Sequence, residues 1–265
     1  MKTIRRKSVL ISFLCICIIS PAYPQSSASD SSSPTYQVNR WATGVVCGVG
    51  LFTNYLGIPK LLNKYELSLA EIRALDKRTL NRIDTWALKQ DPSKRGAFEK
   101  YSDYTLWSSI ALPLFLLADE QIRLNWLDML MMFLETMSIT TNIYEWSFLG
   151  PNFQNRVRPV AYYDQLSYDE RKTGHNRNSF YSGHVASAAA STFFMAKVYS
   201  DSHPGIGDNK YLVYGAALIP PLVLGYFRVK ALKHFPSDVI VGLVVGALCG
   251  ILIPEFYRVK DKNFR

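Results

Sequence analysis

Residues 239–257 read VIVGLVVGALCGILIPEFY and carry a single charged side chain, Glu255. This length and character match the ~20 apolar residues that a helix needs to cross a bilayer. Five further apolar blocks precede this one, and charged residues concentrate between them: 41–56, 105–118, 124–146, 180–198 and 211–227. The sequence therefore predicts an all-α protein, a bundle of six transmembrane helices.

The composition of the 265-residue chain suits one domain of ordinary size. Hydrophobic residues make up 48% of the chain and there are four cysteines, which excludes a disordered protein, a collagen-like repeat and a disulfide scaffold. The formal net charge of +9 favours anionic partners. No nucleic-acid-binding motif accompanies that charge, so membrane lipids are the expected partners.

The N-terminal region has the organisation of an export signal. Four basic residues precede an apolar run over 8–20, and small residues follow it. This pattern predicts a signal peptide over 1–22, with an uncleaved membrane anchor as the alternative. We then expect a Ser-rich linker over 23–39, a membrane domain over 40–258 and a basic tail over 259–265.

Two regions of mixed polarity give further expectations. Apolar residues recur near helical spacing among the charges of 60–104, which predicts an amphipathic helix on the bilayer surface between the first two spans. In the third segment Asp128, Glu135 and Asn142 are seven residues apart and so share one helical face. These three side chains either hydrogen-bond neighbouring helices or have a functional role.

Three polar clusters lie at the ends of the apolar segments. The first is 155–159 (NRVRP), the second is 179–184 (SFYSGH), and the third contains Arg228, Lys230, Lys233, His234 and Asp238. If segments three to six cross the membrane alternately, all three clusters emerge on the same face.

Together these side chains suit phosphoryl transfer. Arginines bind phosphate oxygens, and Ser182-Gly183 at a helix start provides an anion site. A carboxylate four residues after His234 can fix its tautomer, which leaves the other ring nitrogen free to attack, and His184 can protonate the leaving oxygen. Few acidic residues lie near the clusters, so we expect no metal and no other cofactor.

The clusters resemble the signature of the type-2 phosphatidic acid phosphatase (PAP2) superfamily, the lipid phosphate phosphatases. That signature reads Lys-x6-Arg-Pro, then Pro-Ser-Gly-His, then Ser-Arg-x5-His-x3-Asp. Arg158-Pro159 matches the end of the first motif, and Ser182-Gly183-His184 matches most of the second. The third motif is matched, with its spacing, by Arg228, His234 and Asp238.

The resemblance implies a role for each matched residue. His234 would be the nucleophile, Asp238 its orienting partner and His184 the general acid. The phosphate would be held by Arg158, Ser182, Gly183 and Arg228. Pro151 stands where the motif has its lysine, and Tyr181 and Phe227 replace two uncharged motif residues. Arg156 or Lys233 is expected to compensate for the missing lysine.

The sequence thus predicts a membrane phosphatase that acts on a lipid phosphate or diphosphate through a phosphohistidine. The alternative is a non-catalytic membrane protein that binds or moves anionic lipids. A soluble vanadate haloperoxidase shares the motifs but is disfavoured by six spans. The resemblance implies a bacterial inner-membrane protein with its site facing the periplasm, whereas the basic loop after the first segment favours the opposite orientation. No pattern indicates an oligomeric state.

Overall fold

The computed structural model describes residues 35–259. The predicted signal peptide, most of the linker and nearly all of the tail lie outside them. Within this range the chain folds into six long helices. They are α1 (Arg40–Leu62), α2 (Arg95–Ala111), α3 (Trp126–Trp146), α4 (Gly183–Ser202), α5 (Lys210–Lys230) and α6 (Pro236–Tyr257).

The connections between the long helices are helical turns. Short α-helices span Leu69–Arg73, Glu120–Arg123 and Tyr168–Lys172. Short 3-10 helices span Lys77–Thr79, Asp84–Lys89, Pro92–Lys94, Leu112–Ala118, Pro159–Tyr162, Gly174–Arg177 and Pro204–Asn209. Within the described range, 35–259, the β-type pairing is an isolated bridge between Tyr36 and Arg258. The all-α prediction is confirmed.

Three stretches are long and apolar enough to cross a membrane: α1, α6 and Pro204–Lys230, which contains α5. Helix α2 begins with charged residues and α3 carries three acidic side chains, which lowers their hydropathy. Helix α4 is rich in alanine and serine, and most of its residues are buried. These residues suit its place at the centre of the bundle, where it packs against α2, α3, α5 and α6. The total of six crossings stays a prediction.

Helices α4 and α6 approach each other closely through a row of glycines on α6. A Cβ atom on Gly242 or on Gly250 would lie 2.5 Å from a carbonyl oxygen of α4 or its N-cap, and one on Gly246 would lie closer still to the carbonyl of Ala186. Small residues at every fourth position allow helix backbones to touch in this way. The contact brings the start of α4 against the start of α6.

The single amphipathic helix expected between the first two spans is not formed. Between α1 and α2 lie the short helix Leu69–Arg73 and three 3-10 turns. Asp76 and Asp91 cap two of these turns and interrupt any longer helix. Leu67 and Ile72 are buried against Ala161, so this region covers another loop with its apolar side chains.

The polar face of α3 hydrogen-bonds to neighbouring helices. Asp128 pairs with Arg40 at 2.6 Å, and the Asn142 amide donates to the carbonyl of Gly50 at 3.0 Å. Glu135 accepts from the hydroxyl of Tyr257 at 2.5 Å. Of the two interpretations of this face, the structure favours the first, in which it joins α3 to α1 and α6.

Candidate active site

The predicted nucleophile lies in the turn between α5 and α6. His234 is buried, and its Nδ1 lies 2.6 Å from the carbonyl oxygen of Ser179. Because a carbonyl only accepts, Nδ1 carries the hydrogen and Nε2 keeps its lone pair. Burial, together with the charges of Arg228 and Arg158, holds the pKa of His234 well below its usual range. The ring is therefore neutral near pH 7 and offers one unprotonated nitrogen.

Asp238, predicted to orient this imidazole, is connected to it through Ser179. Its Oδ2 lies 3.9 Å from Nδ1 of His234, which is beyond hydrogen-bond distance. Oδ2 instead accepts from the Ser179 hydroxyl at 2.6 Å and from the Phe235 N–H at 2.8 Å. The expected hydrogen bond between the two side chains is not formed, because the carbonyl of Ser179 takes the ring N–H.

Arg156, one of the two auxiliary phosphate-binding candidates, is held by two buried carboxylates. It pairs with Asp238 and, at 2.6 Å, with Asp84. Asp84 also accepts from the N–H and the hydroxyl of Ser237 at 2.9 and 2.8 Å. The guanidinium lies over the Phe235 ring at 4.5 Å. Because both terminal nitrogens are engaged inside the protein, Arg156 fixes the start of α6.

Three predicted phosphate ligands have buried polar atoms with no hydrogen-bond partner among the described residues. They are Nη1 of Arg158, Nε of Arg228 and Oγ of Ser182. Burial, and after it the charge of Arg228, lowers the pKa of Arg158 to about 10. Unpaired buried donors are destabilising, and so are neighbouring like charges. Unpaired donors on two arginines whose charges act on each other suit a bound anion.

The N-terminus of α4 completes this cluster. A Cβ atom on Gly183 would lie 2.9 Å from Cζ of Tyr144, so the ring of α3 requires a glycine here. The N–H of Ser182 donates to the carbonyl of Asp238 at 3.1 Å, which joins the second and third sequence clusters. The positive end of the α4 dipole lies at this point and favours a bound anion.

The predicted general acid, His184, is the second residue of α4. Its Nε2 lies 3.6 Å from Oδ1 of Asp103 on α2, and its side chain is 37% exposed. The charges of Arg228 and Arg158 act on this ring, which in turn acts electrostatically on His234. The structure thus brings both predicted histidines and both arginines into one cluster.

Lys233, the second auxiliary candidate, lies beside the two arginines. Burial lowers the pKa of Lys233, and the charges of Arg158 and Arg228 act in the same direction. Its ammonium pairs with Glu99 of α2 at 2.7 Å. Lys233 is therefore better placed than Arg156 to add positive charge at the anion site.

Pro151, where the signature has its lysine, contacts a lysine from another segment. Lys64 donates to the carbonyl of Pro151, to that of Gln154 at 2.8 Å and to the Asn155 side chain at 2.9 Å. An ammonium group has three N–H donors, and these contacts use all of them. Lys64 therefore holds the loop that leads to the first cluster.

Comparison with known proteins identifies the family. A sequence-family model described as the PAP2 superfamily matches residues 126–262, which is more than half of the chain. The chain belongs to the PAP2 superfamily. Among solved structures, the chain is similar to the crystal structure of a transmembrane PAP2-type phosphatidylglycerolphosphate phosphatase from Bacillus subtilis, with 21% identity and a TM-score of 0.46. That match covers 85% of this chain and 100% of the other. No curated protein matches by sequence.

Several residues of this candidate site were not identified from the sequence. Ser179 belongs to the second cluster, but nothing in the pattern indicates that its carbonyl holds the nucleophile. Glu99 and Asp103 precede the family match, and their spacing of four places them on one helical face. Asp84 is far from the motifs in sequence and carries no recognisable signal.

The metal prediction depends on the acidic residues of this region. Between residues 35 and 259, no three His, Cys, Asp or Glu side chains are grouped so that they could hold a metal ion. Asp84 and Asp238 are already paired with Arg156. Metal-independent chemistry stays a prediction from the scarcity of acidic residues near the three clusters.

Proposed function

We propose that this protein is a membrane phosphatase that hydrolyses the phosphomonoester or diphosphate of a lipid headgroup through a phosphohistidine. Two observations carry the proposal. Arg158, Arg228 and Ser182 each keep a buried polar atom without a hydrogen-bond partner, and the charges of both arginines act on the neutral imidazole of His234. Membership of the PAP2 superfamily supports a phosphatase. The apolar helices support a substrate that is held in a membrane.

The first half-reaction transfers the phosphoryl group to the protein. The phosphate oxygens accept hydrogen bonds from Arg158, Arg228 and Ser182, which orients the phosphorus toward His234. The Nε2 lone pair forms a P–N bond while the P–O bond to the lipid breaks. His184 gives its proton to the leaving oxygen, so the lipid departs as a neutral alcohol or as a monophosphate.

The second half-reaction returns the protein to its starting state. Neutral His184 takes a proton from water, whose oxygen forms a bond to phosphorus while the P–N bond breaks. The phosphorylated ring carries positive charge, which is offset by the Asp238 carboxylate at 3.9 Å from Nδ1. Inorganic phosphate leaves, and His184 is again protonated for the next turnover.

Lys233 is the residue that we assign to the place of the missing motif lysine. Its charge lies close enough to those of Arg158 and Arg228 to interact with them. The pair with Glu99 holds its ammonium there. In this assignment Lys233 contributes to phosphate affinity, and Arg156 holds the Asp238 carboxylate in place through their ion pair.

Phosphate release by the purified protein tests the proposal. The protein is given phosphatidate, phosphatidylglycerophosphate, polyprenyl diphosphate and lipid A in mixed micelles that contain a chelator. We expect at least one of them to release phosphate, and His234→Ala and His184→Ala to abolish the release. If none is hydrolysed but anionic vesicles are bound or their lipids moved, the non-catalytic alternative is correct. A metal requirement would reject the mechanism.

The site is proposed to face the periplasm of a bacterium from the inner membrane, as the family resemblance implies. Helix α6 starts at the site and its 22 residues extend about 33 Å to Tyr257. The C-terminal end of α6 therefore lies on the opposite side of the bundle. A reporter fused after Arg265 should be cytoplasmic, and an exported reporter at this point would contradict the orientation.

A further inference from the structure

One face of α2 contacts three residues of the proposed site. Glu99 pairs with Lys233 at 2.7 Å, and the Ser102 hydroxyl accepts from Nη1 of Arg228 at 3.3 Å. Asp103 lies 3.6 Å from Nε2 of His184. Positions 99, 102 and 103 are neighbours on one helical face. Helix α2 lies outside residues 126–262, the part that the PAP2 family model matches.

Asp103 is the negative charge among the groups that act on His184. Arg228 reaches this ring from α5 and Arg158 from the loop before Pro159–Tyr162. Its other titratable neighbours are His234 in the turn before α6 and His175 in Gly174–Arg177. Burial opposes protonation of the ring, and so do these two cations, whereas the nearby carboxylate of Asp103 stabilises its charged form.

We propose that Asp103 is a positioning residue that favours the protonated form of His184 and directs its ring at the leaving oxygen. The inference rests on the proposed function, in which His184 acts as the general acid. A general acid donates only while it carries its proton, and its efficiency depends on a pKa near the working pH. The 3.6 Å separation of the two side chains suits a charge pair, because hydrogen bonds at catalytic groups are often longer before substrate binds.

The protein contains a matched control at the other end of α4. His203 directly follows α4, and its Nε2 lies 3.0 Å from Oδ2 of Asp119. This pair has the same chemistry as His184 with Asp103, and its side chains are 29% and 22% exposed, against 37% and 52% at the site. Because it lies a helix length away from the site, Asp119→Asn removes an equivalent charge without touching the reaction.

The test compares Asp103→Asn, Asp103→Glu and Asp119→Asn in kcat/KM across pH, with two substrates. One substrate is an alkyl lipid phosphate, and the other is 4-nitrophenyl phosphate, whose leaving group needs no proton. In the plot of kcat/KM against pH, we expect Asp103→Asn to move the alkaline limb to a pH about one unit lower. Near pH 7, kcat/KM of this variant should fall about tenfold with the alkyl phosphate and less than threefold with the aryl phosphate. Asp103→Glu should restore most of the loss.

The outcomes separate this inference from the proposed function. A wild-type alkaline limb in Asp103→Asn, or equal losses with both substrates, would overturn the inference alone, as would an equal shift in Asp119→Asn. A wild-type protein without activity, or full activity in His184→Ala, would overturn the proposed function and this inference with it.

Discussion

Arg158 and Arg228 are the residues at which stability and function oppose each other. Both guanidinium groups are buried, and each keeps one nitrogen without a hydrogen-bond partner. A bound phosphate would satisfy these donors and neutralise their repulsion. The free protein therefore carries a local instability that binding relieves.

Replacing one of these arginines should weaken catalysis without lowering stability. Arg228→Gln is expected to lower kcat/KM by about a hundredfold or more. Its thermal midpoint should stay equal or rise, because a repulsive pair of buried charges is removed. Orthovanadate should raise the midpoint of the wild type but not that of the variant.

Arg177 supplies the control, since it is buried to a similar degree with its donors paired. It contacts Glu71 and the carbonyls of Tyr65 and Glu66. Arg177→Gln should lower the thermal midpoint and keep the stabilisation by vanadate. If Arg228→Gln lost as much stability as Arg177→Gln and still responded to vanadate, the anion site would be wrongly placed.

The lowered pKa of His234 predicts a dependence of stability on pH. A histidine in an unfolded chain titrates near about 6.5, whereas native His234 stays neutral at much lower pH. Below about pH 6.5 the unfolded state therefore binds a proton that the native state excludes, and stability falls as the pH falls. The thermal midpoint should drop between about pH 7 and pH 5, and it should drop less in His234→Gln. Equal drops in the two proteins would contradict the assignment.

Among the elements, the contact between α4 and α6 decides whether the site forms. Gly242 faces the carbonyl of Ser182, and Gly246 faces that of Ala186, so the glycine row sets the distance between two sequence clusters. Any side chain at these positions pushes α6 away from α4. Ser182, a proposed phosphate ligand, would then separate from the turn that holds His234.

Gly246→Ala should therefore lower both stability and activity. An added methyl group in this contact is expected to destabilise the fold by about 1–3 kcal/mol. Gly215→Ala on α5 is the matched control, because a Cβ there meets no atom within 4 Å. The control should keep full activity and equal or higher thermal stability. Similar losses in both variants, measured by thermal unfolding and phosphate release, would contradict this packing.

The hydropathy of the sequence predicts the apolar helices well and predicts poorly the helices and turns that carry many polar residues. The blocks 41–56, 211–227 and 239–257 correspond to α1, α5 and α6, and many of the large apolar side chains of these helices are exposed. The sequence predicts a span over 105–118, yet α2 starts at Arg95, because Glu99 pairs with Lys233 and Asp103 lies beside His184. The leucines of 60–104 have helical spacing but are partly buried beneath loops, and spacing alone does not distinguish the two.

Across the whole molecule, the long helices separate two polar ends. The site gathers at one end, and at the other Lys197 pairs with Glu255 and with Asp201, which also accepts from Tyr36 at 2.8 Å. Alternate crossing of apolar segments was enough to predict that the three motif clusters share a face. Contacts such as Asp84 with Ser237, 153 residues apart, could not be predicted because they depend on how the loops fold over that face.

Trapping the covalent intermediate tests the central claim most directly. A lipid phosphate that the protein hydrolyses is labelled with ³²P and mixed with the protein in the presence of a chelator. The reaction is quenched in base within one turnover, and the labelled residue of the protein is located by mass spectrometry. The label should be found on Nε2 of His234, because Nδ1 is held by the carbonyl of Ser179. It should disappear on chasing with unlabelled lipid and be absent from His234→Ala. Turnover with no labelled histidine, or with the label on another residue, would contradict the account.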